Sequence, residues 1–428
     1  MRPAYIVFAL LLLAFMLPAG EAQGQFWKEW FGGKEKRRSR PPVDQPRKDR
    51  DGKESVVIKR QEIEWPASRI KTRYRVDVLL PLYLPELVKN DSALYTRERL
   101  PEKAAGAFGF YEGIKMASDS LSSMGYKYDI YIHDITQENL KPENLIRSRT
   151  LKGSDLIIGF LNSAQIPPIA DFAKEERINF ISSLSPSDAG VEDNVFFTMM
   201  QPGLESHVRH IRQVIAKKHP EAAVLVVYQQ ASADSQTARY FLEDTSYTAL
   251  AWTNRFPAVE LLGRRLDSNR TNVIIVPVLD VEAAEKLLSY LDQQFPNYRF
   301  EVFGMPSWKF MNSIRKADTL SNIGINFTTA YYFNPGSAAV QQLLNRYRKV
   351  FGGRPGEMVF MGYETFYWYA QLLQRYGTVF NNRYADTAGV SFTPLRIELQ
   401  WDDQGKPLYN ENKHLYLYRY QAGSYSVE

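Results

Sequence analysis

Between Ser154 and Ser187 the chain reads SDLIIGFLNSAQIPPIADFAKEERINFISSLSPS, and this stretch constrains the fold more than any other. Leu156–Phe160 is a short apolar run bounded by turn residues, the pattern of a strand covered on both faces. Asn162 and Ser163 stand where a helix begins, and Ser163 is read as its N-cap, with open backbone donors behind it. After the helix, Ile178–Ile181 repeats the apolar run, and Ser182, Ser183, Ser185 and Ser187 crowd the second turn. Two adjacent parallel strands ending in hydroxyl-bearing loops form the kind of crevice in which open α/β sheets bind ligands. At any single serine, capping or turn closure is the competing reading.

The N-terminus indicates the compartment. Arg2 precedes the apolar run Tyr5–Leu17, followed by Pro18, Ala19, Gly20, Glu21 and Ala22. This is the order of a signal peptide, with cleavage expected after Ala22, and the run is shorter than the ~20 apolar residues of a spanning helix. A periplasmic or secreted protein is expected. The chain has no cysteine, which excludes disulfides, thiolate metal sites and a lipidation cysteine.

Residues 23–73 differ in character from the rest of the chain. They hold 15 Lys/Arg against 8 Asp/Glu, which accounts for the net charge of +5 over all 428 residues. With few large apolar residues between Phe31 and Val56, the segment is read as a disordered basic linker. It is either a solvated spacer or a weak contact with an anionic envelope surface. The aromatics Phe26, Trp27, Trp30 and Phe31 are a further candidate contact with a partner or membrane interface, and no nucleic-acid partner is expected of an exported chain.

From Tyr74 the chain alternates. Strands are read at Val76–Leu82, Tyr128–Ile132, Ala223–Tyr228, Tyr247–Trp252, Val273–Val278, Phe300–Phe303 and Ile323–Thr328. Helices are read at Ala104–Met124, Pro142–Leu151, Glu205–Lys217, Gln236–Phe241, Ala283–Gln294, Ser337–Phe351 and Met361–Tyr376. Phe196–Thr198 is read as the entry to a loop, and a break near Thr198–Glu205 separates two lobes. Arg396–Leu399 and Leu415–Tyr420 read as closing strands with a hairpin. Such βα alternation implies parallel sheets flanked by helices, an α/β class.

The order of these elements, and several residue patterns, resemble the type I periplasmic binding proteins, in the branch of the leucine/isoleucine/valine-binding proteins of ABC importers. SDLIIGFLNS resembles that family's strand and G-x-x-S turn. INFISSLSPSDAG followed by NVFFTMMQP resembles its P-x-I-S strand and F-R-T entry into the second lobe. FNPGSAAVQQLLNRYRKVFGGRPGEMVFMGYETFYWYAQLLQRYG resembles its long helix, F-G-x-x-P and G-Y-D-A segment, with Gly362-Tyr363-Glu364-Thr365 in the last place. GVSFTPLRIELQWDDQGKPLYNENKHLYLYRY resembles its closing G-x-x-F-D-x-x-G hairpin, and the resemblance covers Tyr74 to Glu428. Beyond the signal peptide at 1–22 and the linker at 23–73, it implies one two-lobed domain at 74–428. Lobe 1 is expected at about 74–200 and 330–385, and lobe 2 at about 201–329 and 386–428.

The resemblance implies a binding protein without catalysis or cofactor, holding a small polar ligand in an interlobe cleft. Its partner is expected to be an ABC permease or another cell-envelope protein. On that reading Asn162 and Ser163 fall on the turn that holds a ligand carboxylate, and Leu184 and Pro186 fall near the next contact pair. The candidate ligand contacts are Tyr83, Asn162, Ser163, Ser183, Ser185, Tyr228, Asp234, Asp280 and Tyr331. Three departures stand out. The acidic residue that the family's amino-acid binders place around Pro202 is missing, Ala233-Asp234 stands where they have a tyrosine-glycine pair, and Phe197 replaces an arginine. An ammonium in a closed cleft needs a carboxylate, so Asp234 or Asp280 is the expected substitute. A ligand without an ammonium, or an envelope adaptor that no longer carries solute, is the alternative.

Other constellations are weak. His207 and His210 share a helix face without a third ligand, so a polar helix face is expected rather than a metal site. The glycines of GAFGFYEG (106–113) do not match a dinucleotide fingerprint and suggest close helix packing. There is no G-x-S-x-G and no P-loop.

Overall fold

A computed structural model of the chain describes residues 59–428, apart from 91, 95–99, 231, 313–319, 387–391 and 422. The first alternating block comprises β1 (Tyr74–Leu80), α1 (Leu84–Leu87), α2 (Glu102–Ser123), β2 (Tyr128–Asp134) and α3 (Pro142–Arg147). It continues with β3 (Leu156–Gly159), α4 (Ile166–Glu176), β4 (Asn179–Ser182) and β5 (Phe197–Met199). The second comprises α5 (Leu204–Lys218), β6 (Val224–Gln229), α6 (Ser232–Leu242), β7 (Thr248–Trp252) and α7 (Val259–Gly263). It ends with β8 (Thr271–Ile275), α8 (Val281–Gln294), β9 (Arg299–Phe303) and β10 (Ile323–Thr329). Two long helices come next, α9 (Ala338–Phe351) and α10 (Glu357–Tyr376), then β11 (Ile397–Trp401), β12 (Pro407–Asn412), β13 (Tyr416–Gln421) and β14 (Ser424–Val427).

The strands form two seven-stranded sheets, in the orders β11-β12-β5-β4-β3-β1-β2 and β14-β13-β10-β9-β8-β6-β7. In the first sheet every pairing is parallel except β11 with β12. In the second, the antiparallel pairings are β10 with β13 and β13 with β14. One unit takes the described residues up to Gln201 together with Phe333–His414, and the other takes Pro202–Tyr332 and Leu415–Glu428. The expected strands β3 and β4 are buried at every position, as continuous apolar runs in a parallel sheet require.

In the first unit α2 and α10 cross on a pair of glycines. A Cβ on Gly113 would lie 2.1 Å from the Val359 carbonyl oxygen, and one on Gly362 would lie 2.1 Å from that of Phe110. The glycine-rich stretch of α2 is thus a helix contact, which seats the aromatic face of α10 in the core. There Phe366, Trp368 and Tyr369 are buried, and the Trp368 and Tyr384 rings stack. The second unit has its own core, built on β6, β8 and β9 and closed by Trp308.

Three expectations change. First, residues 59–73 are not part of a free linker. Gln61 donates its N–H to the Gly405 carbonyl at 2.8 Å, and the Arg60 guanidinium lies over Trp401. Trp65 packs edge-on against Phe196, and Ser68 donates its hydroxyl to the Tyr376 carbonyl at the end of α10. Arg69 and Thr378 exchange two bonds of 3.1 Å, and Lys71 pairs with Asp155 at 2.6 Å. A polar strap therefore runs from the β11–β12 hairpin to the start of β1, held by main-chain donors and acceptors rather than an apolar face. The rest of the expected linker and the signal peptide lie outside the described residues.

Second, residues 386 and 392–414 do not go with the second lobe. β12 pairs parallel with β5, and its buried Asn410 and Asn412 amides donate to the carbonyls of Val195 and Met200. Of the segment expected in lobe 2, only Leu415–Glu428 joins the second unit. Third, Phe197–Met199 is a strand rather than a loop entry, because β4 and β12 flank it on both sides.

Candidate functional site

The first sheet reverses direction at β1. From β1 the chain passes through α2 to β2 on one side, and then returns through α3 to β3 on the other. In open α/β sheets a ligand crevice lies at such a switch point, beyond the carboxyl ends of the strands. The register places Leu79, Gly159 and Ser182 side by side, so the segments just beyond them share one edge. Tyr83, Asn162, Ser163, Ser183 and Ser185 all lie on it.

Each makes a distinct local contribution. Asn162, not Ser163, is the N-cap: its side-chain oxygen accepts from the N–H groups of Ala164 and Gln165, and Gln165 reaches back to the Asn162 N–H. This capping box leaves the half-buried Ser163 hydroxyl free to approach Ser185 Oγ at 3.3 Å, joining the loops after β3 and β4. Ser185 also accepts from the Ser187 N–H, and Ser187 from that of Ala189, so these two hydroxyls close a turn. Ser182 and Ser183 differ. Their hydroxyls are fully buried with no hydrogen-bond partner among the described residues. An unmade bond there costs about 1–3 kcal/mol, so such groups call for a reason.

Tyr83 is held by a residue that sequence reasoning missed. It sits in the left-handed region, φ 56° and ψ 32°, at the start of α1. The buried carboxylate of Asp134, last residue of β2, accepts from the N–H groups of Leu82 (3.0 Å), Tyr83 (3.2 Å) and Leu84 (2.8 Å). Thr136 adds its hydroxyl at 2.7 Å and its N–H at 3.2 Å. Burial opposes the charge, but these donors, the Thr136 hydroxyl foremost, hold the carboxyl below the usual range. The Lys103 ammonium stands 4.4 Å from the Tyr83 ring centre and pairs with Glu86 at 2.6 Å.

The second sheet has its own reversal, at β6, with β7 on one side and β8 on the other. Here the expected carboxylates are engaged with the backbone. Asp234 is buried and accepts from the Leu279 N–H at 3.2 Å, tying α6 to the loop after β8. Asp280 is the N-cap of α8 and accepts from the Ala283 N–H at 3.0 Å. Tyr228 is half-buried against the core, and Tyr331 is buried just beyond β10, its N–H directed at Thr329 Oγ1. Each aspartate thus has one carboxylate oxygen engaged with a main-chain N–H.

His207 does not belong to a polar helix face. It is buried, with Nδ1 2.7 Å from Thr328 Oγ1, and burial pushes its pKa down to about 3. It is a neutral core histidine, and among the described residues no cluster of three His, Cys, Asp or Glu forms a metal site. In the network of half-buried Arg75 with buried Asp77, His133 and Ser154, His133 and Ser154 both bond to Asp77. Asp77 thus stands between the two, accepting the Ser154 hydroxyl directly, and His133 bonds to the carboxylate rather than to the serine. A cavity of about 510 Å³ lies among α2, α9 and α10, lined by Arg346, Tyr363 and Tyr367. It sits where α2 ends and leads into β2, on the opposite side of the unit from Tyr83.

No family model and no curated protein matches the sequence. Solved structures do match the fold. The ABC transporter substrate-binding protein of Desulfitobacterium hafniense, in complex with Leu, aligns with TM-score 0.51 and 15% identity over 83% of this chain and 100% of its own. A branched-chain amino acid ABC transporter protein from Rhodospirillum rubrum aligns with TM-score 0.60 and 13% identity over 83% and 99%. A branched-chain amino acid ABC transporter periplasmic ligand-binding protein from Burkholderia xenovorans gives 0.56 and 12% over 83% and 94%. The two seven-stranded sheets, their crossed connections and these alignments show that the chain has the α/β fold of the type I periplasmic binding proteins.

Proposed function

We propose that this chain is an extracytoplasmic solute-binding protein that captures a small polar ligand and serves an ABC-type importer. The single observation that carries this reading is the edge beyond β1, β3 and β4. There a topological switch point, a tyrosine in a disfavoured backbone conformation and the two buried hydroxyls of Ser182 and Ser183 occur together. Similar structures include one described as bound to Leu. Tyr83, Asn162, Ser163, Ser183 and Ser185, all on the first unit, are the proposed contacts. With Asp234 and Asp280 directed at backbone donors, the reading favours a ligand recognised through an acceptor-rich group rather than through an ammonium.

The proposed role is binding without chemistry. The N-terminal signal-peptide pattern supports export, and among the described residues no helix is long and apolar enough to cross a membrane. The test is a thermal-shift screen of the chain from Gln23 to Glu428 against amino acids, carboxylic acids, peptides, sugars and cell-wall fragments. A true ligand at 100 times its dissociation constant stabilises by about 2.7 kcal/mol. A shift with at least one of these classes is expected, and silence across all of them overturns the proposal.

A further inference from the structure

The segment after β1 is shaped from across the sheet. One carboxylate, on the last residue of β2, collects three successive main-chain N–H groups at Leu82, Tyr83 and Leu84. The middle residue of the three adopts left-handed backbone, which is disfavoured for a bulky aromatic and persists where surrounding contacts impose it. Its ring is fixed separately by the Lys103 ammonium, which Glu86 holds in place. We propose that Asp134 is a positioning residue that sets the backbone of Tyr83, and with it the placement of the Tyr83 ring, at the ligand edge of the first unit.

The geometry gives this role to the pair of carboxylate oxygens, not to size alone. Oδ1 takes Leu82, Tyr83 and Thr136, while Oδ2 takes Leu84 and the Gln137 amide. Asparagine keeps the first oxygen and replaces the second by a donor facing two donors. Asp134→Asn therefore releases the Leu84 side of the clamp at almost unchanged volume. The inference rests on the solute-binding reading only in taking this edge as the ligand face.

The experiment places 3-fluorotyrosine at position 83 of the full mature chain and follows its fluorine resonance. The native protein is expected to give one narrow signal that Lys103→Met moves. Asp134→Asn is expected to carry that signal toward its position in urea and to abolish its response to Lys103→Met. Thr136→Val, which removes one donor to Asp134 and keeps the carboxylate, is expected to act in the same direction but less, and serves if Asp134→Asn does not fold. Asp77→Asn disrupts another buried carboxylate network of the same sheet, so it is expected to lower the melting temperature and leave the resonance in place. If Asp134→Asn lowers stability but leaves the resonance and its Lys103 response unchanged, the positioning role is overturned. Equal movement by Asp77→Asn overturns it too. A silent ligand screen would overturn the solute-binding reading, while the coupling of Asp134 to Tyr83 is decided by the fluorine signal alone.

Discussion

The crossing of α2 and α10 allows a quantitative test of how the first unit is held together. Gly362→Ala would place a methyl carbon 2.1 Å from the Phe110 carbonyl oxygen and 2.8 Å from its carbonyl carbon. Both are backbone atoms, so no rotamer change relieves the contact. Carbon–oxygen contacts settle near 3.3–3.6 Å, so the helices must part by roughly 1 Å. Overpacking of this kind costs about 3 kcal/mol at the upper end of its usual range, offset by about 1 kcal/mol of helix propensity gained over glycine. The net expectation is a loss of about 2 kcal/mol, a fall of about 4–8 °C in the melting temperature of a unit this size. Gly106→Ala, on the same face of α2, is the internal control. Its methyl would meet Phe160 Cζ at 3.6 Å and Met358 Cγ at 3.9 Å, ordinary contacts. That variant should be as stable as the parent, or more so by up to about 1 kcal/mol. Differential scanning calorimetry of the two variants decides the matter. If Gly362→Ala melts with or above Gly106→Ala, the glycine crossing does not set the packing.

Three further outcomes rest on particular residues. Ser183→Ala should leave the free protein unchanged or stabilise it by about 1 kcal/mol, since it removes a buried hydroxyl without a partner, while weakening the ligand found in the screen. Ser185→Ala should instead lower the melting temperature, because that hydroxyl caps the Ser187 turn, and melting curves with and without ligand separate the two. A chain starting at Tyr74 loses the four Ser68 and Arg69 bonds to Tyr376, Thr378 and Val379 and should lose about 4 kcal/mol, at about 1 kcal/mol per bond, read by urea unfolding. His207 titrates near 6.5 unfolded but only at about 3 folded, so the unfolded chain binds the extra proton and stability falls as pH drops through that window. The advantage of the parent over His207→Gln should shrink by about 1.4 kcal/mol per pH unit between pH 6.5 and 4.5, above the range in which Asp77 and Asp134 take up protons. A constant difference would place the histidine in contact with solvent.

Much of this architecture can be read from the chain because parallel strands announce themselves. Leu156–Gly159 and Asn179–Ser182 are buried on both faces and nearly all apolar or small, so no alternation is needed to find them. The α2 glycines were legible for a related reason, since several glycines in one helix face imply close approach. The strap at 59–73 was not. It is charged and aperiodic, and its anchors are main-chain atoms of Gly405, Tyr376 and Thr378 far away in sequence. The placement of β12 was hidden likewise, since its register against β5 depends on Asn410 opposite Thr198, a pairing with no local signature.

At the site, the hydroxyl-rich loops were legible but the division of labour within them was not. Asn162 with Gln165 three residues later does carry a capping-box signal, overshadowed by the more obvious Ser163. His207 could have been read as core, because Leu204, Val208, Ile211 and Ile215 put it on the buried face of α5. Asp134 ends the mixed strand YDIYIHD, where a second carboxylate draws no notice, and its role depends on three N–H groups about fifty residues earlier.

The most direct measurement of the central claim is hydrogen–deuterium exchange of the full mature chain, with and without the strongest stabiliser from the screen. The account predicts that ligand slows exchange at 80–84, 160–165 and 183–187, the three segments of the strand-end edge. Protection confined to the surroundings of Arg346 and Tyr363, or no protection at those three segments, would contradict it.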